Sequence, residues 1–327
     1  MRFTRRRFLK ASAIALTASA GLAHAQAYPT RPVRLVIPFP PGGAFDAVGR
    51  PWADRVKQHL GTIVVENIGG GGSSIGASAA ARAKPDGYTL LLGGTQTHVN
   101  EALLKTKPLY DPVKDLDPIV AVAAYPLAIA VHPSLPMRNL KELVAYAKAN
   151  PGKLSYGHAG LGSIQHLTGE LFKSLAGTQA IVQVPYRGTG PAITDLIGGQ
   201  IPVAILGLTG QVIELHRAGR MRVLALTSPK RLAAVPDLPT AAELGFPKLN
   251  VRGWIGLLAP AGTPQGVIDR VAQASRAALA ERAWQQMLSE AGMEAALDSN
   301  PEHFRKVLAA DVALWTPVVQ AIGVKVD

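Results

Sequence analysis

The sequence predicts a two-domain α/β protein. Three observations point there. Short β-type apolar runs alternate with amphipathic helical stretches along the chain. About 300 residues remain once an N-terminal leader is set aside, more than one small core accommodates. Loops of small residues recur where a strand hands over to a helix.

The leader comes first. Arg5, Arg6 and Arg7, then Phe8, Leu9 and Lys10, form a basic block. Residues 11–22 are apolar, small and uncharged, and Ala23-His24-Ala25 and Ala25-Gln26-Ala27 both fit an A-x-A cleavage site. This order is that of a secretory signal, and the arginine pair resembles a twin-arginine signal. Twelve apolar residues are too few for a membrane span, which takes about 20. Residues 1–27 are therefore expected to be cleaved near Ala25 or Ala27, with the product in the periplasm. Five basic residues leave with the leader, which takes the formal charge from +12 to +7. The chain has no cysteine, so neither a disulfide nor a lipoprotein anchor is expected.

A strand is expected at 33–39, ended by Pro40, Pro41, Gly42 and Gly43. A helix follows at 44–60, which Pro51 should kink because proline lacks the N–H donor. A strand at 62–66, a glycine-rich loop, a short helix at 75–83 and a strand at 88–93 complete a pattern of parallel strands with crossover helices. The run 119–132 is β-type and is expected to break at Pro126. Helices at 140–149, 163–176, 191–197 and 211–218 then alternate with strands at 154–157, 180–185, 203–208 and 223–227. A strand at 253–258 and helices at 265–281, 283–291 and 301–322 close the chain. The expected domains are 28–125 with 251–327, and 126–250. They join at two crossings, near 125–131 and 249–254.

Ligands of open α/β sheets bind at the carboxyl ends of strands. Four loops there place small residues at a helix start: 40–46, 93–98, 158–163 and 186–191. A helix start presents free N–H groups and about half a positive charge, and glycine lets a ligand approach the backbone. Together these loops favour an anion site. Each also has a bland reading, with Asp46 or Ser163 as an ordinary N-cap.

Other chemistries find little support. Gly72-Ser73-Ser74-Ile75-Gly76 satisfies G-x-S-x-G, but no sharp strand-to-helix elbow precedes Ser74. A serine esterase using Ser74 stays as a minor alternative. The glycine run 69–72 lacks the Gly-Lys-Ser/Thr ending of a phosphate loop. No H-E-x-x-H or close histidine pair suggests a metal, and no cofactor pattern follows the first strand. No cluster of basic residues interleaved with aromatics suggests nucleic acid.

Several motifs carry a resemblance. They include Tyr28-Pro29-Thr30-Arg31-Pro32-Val33-Arg34 leading to Val36-Ile37-Pro38-Phe39-Pro40-Pro41-Gly42-Gly43, and Pro85-Asp86-Gly87-Tyr88-Thr89-Leu90-Leu91-Leu92-Gly93. Val184-Pro185-Tyr186-Arg187-Gly188 and Gly256-Leu257-Leu258-Ala259-Pro260-Ala261-Gly262-Thr263-Pro264 follow in the same order. They resemble the tripartite tricarboxylate transporter substrate-binding family, the Bug receptors. The resemblance implies a type II-like Venus-flytrap binding protein, monomeric, that captures a small organic carboxylate and delivers it to membrane permease subunits. A ligand-sensing receptor for a signalling partner is the alternative. Carried over, the resemblance implies ligand contacts at Gly42, Gly43, Ala44, Asp46, Thr95, Thr97, Gly160, Gly162, Ser163 and Tyr186. Gln96 and Ala159 lie in the same loops, and His166 lies near the expected cleft. Phe45 and Leu161 stand where smaller or polar residues are common in the family, and would line an apolar middle if they face the ligand. Gly207 stands where many members place an acidic or amide residue. A ligand ammonium would lose its partner there, which favours a dicarboxylate, aliphatic or aromatic, over an amino acid.

Overall fold

The computed structural model describes residues 28–323 and 325. The leader read at 1–27 lies outside them. The chain opens with β1 (Val33–Ile37), α1 (Ala44–Leu60) and β2 (Ile63–Asn67). After a 3-10 turn at Gly71–Ser73 come α2 (Ser74–Ala81), β3 (Thr89–Gly94), α3 (Thr95–Val99) and a π-helical turn at Asn100–Leu104. The long β4 (Leu116–Val131) leads to α4 (Leu140–Ala149), β5 (Ser155–His158), α5 (Ile164–Ala176), β6 (Val182–Pro185) and α6 (Thr189–Ile197). Then follow β7 (Val203–Gly207), α7 (Gly210–Arg217), β8 (Arg222–Leu226) and β9 (Arg252–Pro260). The chain ends with α8 (Gln265–Leu279), α9 (Arg282–Glu290), β10 (Glu294–Ala295) and α10 (Pro301–Ile322).

The strands form one ten-stranded sheet in the order β2-β1-β3-β9-β4-β7-β5-β6, with β8 and β10 also on β4. β1, β2 and β3 are parallel, as are β5, β6 and β7. Strands covered on both faces read as continuous apolar runs, and β1, β9 and β4 are buried almost throughout. Helices cover both faces, and α1 and α8 meet where the Trp52 indole donates to Ser275 Oγ at 3.1 Å.

β4 divides the molecule. Its first part pairs with β9 from Leu116↔Pro260 to Pro126↔Arg252, while its second pairs with β7 from Leu127↔Gly207 onward. The expected break at Pro126 is not there: the strand runs straight through it. The reason is local. Proline lacks a donor, but Pro126 stands where the strand exchanges one neighbour for another, and its carbonyl still accepts from Leu208 N. Pro51 lies inside α1, which continues past it to Leu60.

The segment entering β9 runs beside this point of β4, and one side chain ties the two together. The fully buried Thr227 accepts from Leu127 N through Oγ1 at 2.8 Å and donates to Val251 O at 2.6 Å. Its own N–H donates to Leu127 O, and its carbonyl accepts from Val251 N.

Gly76, the last residue of the G-x-S-x-G pattern, has a packing role. A Cβ there would lie 2.3 Å from Ile68 O and 2.9 Å from Pro38 Cα. The glycine lets α2 press against the ends of β1 and β2.

Thr227→Val keeps the volume at the crossing and removes the hydroxyl. Two buried backbone groups then lose a partner, and stability should fall by about 1–3 kcal/mol. Urea unfolding measures this, and an unchanged midpoint would contradict the role given to Thr227.

Candidate functional site

A cavity of about 670 Å³ opens where β4 changes partner. Gly42, Gly43, Ala44, Phe45, Gly72, Gln96 and Asn100 line it from the β1–β3 side. Ala159, Leu161, Ser163, Gln165, residues 188–190, Ile193 and residues 207–209 line it from the β5–β7 side. Tyr125 lies at the junction, and Met293 also lines the cavity. Among the described residues, no Asp, Glu, Lys, Arg or His side chain lines this space. The lining carries no formal charge.

Helix starts supply the electrostatics instead. α1 begins at Gly43 and α6 at Gly188, and neither start has a side-chain cap. The first N–H groups of a helix have no partner within it, and the macrodipole puts about half a positive charge there. α5 and α7 begin on the same wall, but Ser163 Oγ already accepts from His166 N and Thr209 Oγ1 from Val212 N. The two uncapped starts thus face one uncharged cavity from opposite sides of the junction. Such an arrangement suits anionic groups.

The structure brings together nine of the expected residues: Gly42, Gly43, Ala44, Phe45, Gln96, Ala159, Leu161, Ser163 and Gly207 all line the cavity. Phe45 stacks on Phe39 with ring centroids 4.2 Å apart, and Leu161 is half exposed at the rim. The other seven are not among the residues that line it. Asp46 is buried beneath the first loop. It accepts from Gly42 N at 3.1 Å, Arg50 Nε at 2.8 Å and Asn67 Nδ2 at 3.1 Å. The Arg50 hydrogen bond holds its carboxyl below the usual range. Thr97 Oγ1 donates to Gly94 O, and Thr95 Oγ1 accepts from Trp254 N. Tyr186 donates to Asp195.

The 158–163 loop is held from within. Gly160 N donates to His158 Nδ1 and Gly162 N to His166 Nδ1, each at 3.2 Å, and Ser163 N donates to Gly160 O. Gly42, Gly160 and Gly162 therefore spend their N–H groups on their own loops. The two imidazoles stack at 4.7 Å. Burial lowers both pKa values, and that of His166 falls to about 4, with His158 as a further cause. His166 lines a different cavity, of about 790 Å³, between α5, residues 247–250 and the end of α10.

Residue patterns missed Tyr125, Gln165, Asn100 and Met293. Asn100 follows Gln96 by four residues, a helical spacing that signals a shared face. Gln165 and Tyr125 gave no such signal. Buried amide oxygens of Gln96, Asn100 and Gln165 have no hydrogen-bond partner. Ser74 Oγ is also buried without a partner. A nucleophilic serine needs a base within hydrogen-bonding reach, so the esterase reading has no support here.

Fold and site together define a solute-binding receptor of the periplasmic-binding-protein type. Residues 48–324 match the family described as tripartite tricarboxylate transporter family receptor. The chain is 36% identical over 314 residues to protein BugT of Bordetella pertussis, covering 94% of this chain and 95% of that one. It is similar in structure to Rpa4515 of R. palustris with adipate, at TM-score 0.81 and 34% identity, covering 91% of this chain and 99% of that one. It is also similar to MatC of Rhodopseudomonas palustris with bound malate, at TM-score 0.78 and 30% identity, covering 89% and 100%. The chain belongs to the tripartite tricarboxylate transporter receptor family.

Burial of neutral imidazoles sets a pH dependence. His166 and His98 titrate near 4 in the folded protein, against 6.5 for an unperturbed histidine. Between those values the unfolded chain holds more protons. The stabilisation is therefore complete above about pH 6.5 and is lost progressively as the pH falls toward 4. Unfolding free energy should drop by at least about 1 kcal/mol between about pH 7 and about pH 5. His166→Gln, which can still accept from Gly162 N, should flatten part of that drop. Denaturation at several pH values checks both, and a flat profile in the wild type would refute the assignment.

Proposed function

We propose that this protein captures a small dicarboxylate, aliphatic or aromatic, in the cleft and delivers it to the permease subunits of a tripartite transporter. The observation that carries the reading is the pair of uncapped helix starts, at Gly43 and Gly188, facing one uncharged cavity. One carboxylate would sit on the N–H groups around Ala44 and Phe45, and the other on those around Thr189 and Gly190. Malate and adipate, bound by two structural relatives, both carry two carboxylates. An ammonium group would meet no acidic side chain in the lining, which supports a dicarboxylate over an amino acid. Gly207 contributes to this, since no side chain projects from it.

In this reading the domains are 28–125 with 251–327, and 126–250. The crossings at Pro126 and Val251 act as the hinge. Ligand bound to one domain draws the other over it, and the permease recognises the closed form. The protein works as a monomer in the periplasm, exported by the twin-arginine type leader. It performs no chemistry on the ligand.

A thermal-shift screen of mono-, di- and tricarboxylates tests the ligand class, because a ligand that binds only the folded state raises its midpoint. Dicarboxylates should give the largest shifts. Small-angle scattering at saturation should show compaction, and no change in radius of gyration would count against closure. Gly43→Val tests the first anion position. A Cβ there meets nothing nearer than Pro40 O at 3.8 Å, so the variant should fold. Its side chain crowds the α1 start, and affinity should fall at least about tenfold, the equivalent of one lost charge-assisted hydrogen bond. Unaltered binding would show that the anion sits elsewhere.

A further inference from the structure

We propose that the floor of the cleft selects acids that carry a hydroxyl group near the middle of their carbon chain. The inference rests on the cleft being the carboxylate site, and it concerns a part of the cleft that the helix starts do not form.

Two glutamines meet the cleft from opposite domains. Gln165, on α5, is only 6% exposed, yet its Oε1 has no hydrogen-bond partner. Gln96, on α3, has a buried Oε1 in the same condition. Between them lies Tyr125, one residue before the partner switch at Pro126, with its hydroxyl hydrogen-bonded to Gln96. Gly207 leaves this group uncovered. A Cβ at 207 would stand 3.6 Å from the Tyr125 ring and 3.7 Å from Gln165 Nε2, inside the cavity. Phe45, Leu161, Ile193 and Met293 add apolar surface to the same lining, and Asn100 adds a third buried amide oxygen without a partner.

The chemistry of this floor is narrow. An unpartnered buried amide oxygen costs free energy until a donor reaches it. An ammonium donor would bring a charge that no side chain in the lining offsets. A carboxylate oxygen would face lone pairs. A hydroxyl donates to either glutamine oxygen without adding charge. A site built to hydrogen-bond a hydroxyl discriminates against the analogue that lacks it, because its own polar groups are then left unpaired.

Calorimetry with matched pairs tests this: glutarate against its 3-hydroxy derivative, and adipate against tetrahydroxyadipate. The hydroxylated acid of a pair should bind at least about tenfold more tightly, the equivalent of one net hydrogen bond. The ratio should collapse toward one in Gln165→Leu and in Gly207→Ala. At Gly207 the added methyl group meets its neighbours no nearer than 3.6 Å, an ordinary contact distance, so that variant should fold, and its circular dichroism and thermal midpoint verify it. A ratio near one in the wild type, or a ratio that survives both variants, would overturn the proposal. Butyrate against 3-hydroxybutyrate separates this inference from the dicarboxylate reading. A hydroxyl preference among monoacids, with no dicarboxylate bound, supports the floor and removes the two-anion site. Dicarboxylates that bind without any hydroxyl preference do the reverse.

Discussion

The Thr227 hydroxyl holds the two crossings side by side, and the rest of the molecule is arranged around that junction. It joins Leu127 N on β4 to Val251 O just ahead of β9. β4 belongs to both halves of the sheet, so every strand on one side is referred to every strand on the other through this one element. The strand changes neighbour at Pro126, and the cavity opens there. The carboxyl ends of β1, β3, β5 and β7 point their loops into it. A cavity at the junction is a geometric consequence of one strand serving both halves of the sheet.

In the proposed reading the cleft attracts anions without presenting a cation. A buried lysine or arginine in the lining would have to be desolvated whether or not a ligand were bound. Helix starts avoid that expense, since their N–H groups are polar but carry only a fractional charge. The loops around them are locked by their own bonds. Asp46 fixes the first loop through Gly42, Arg50 and Asn67. His158 and His166 fix the other through Gly160 and Gly162. These side chains hold the cavity's loops in place from behind, which on the proposed reading keeps the binding surface in shape before ligand arrives.

Much of the fold was legible in the sequence because strand and helix differ in hydrophobic period, and that period survives tertiary packing. Pro126 does not break β4, although a proline inside a strand usually marks a break. A missing donor breaks a strand only where the neighbour needs it, and partner exchange is not a local property of the sequence. The glycine loops were legible as a place, and their direction was not. Gly42, Gly160 and Gly162 turn their N–H groups inward because of acceptors on Asp46, His158 and His166, and only the folded chain brings the histidines into position. Gln165 and Tyr125 escaped notice because a buried polar side chain gives no periodic signal. Asn100, one turn beyond Gln96, could have been found.

The central claim is that helix starts, rather than charged side chains, hold the ligand across the junction. A crystal structure of the protein with a bound dicarboxylate measures this directly. The account predicts one carboxylate on the N–H groups of Ala44 and Phe45, the other on those of Thr189 and Gly190, and no Lys or Arg side chain paired with either. A ligand held by an ion pair to a basic side chain, or lodged in the cavity between α5 and α10, would contradict it.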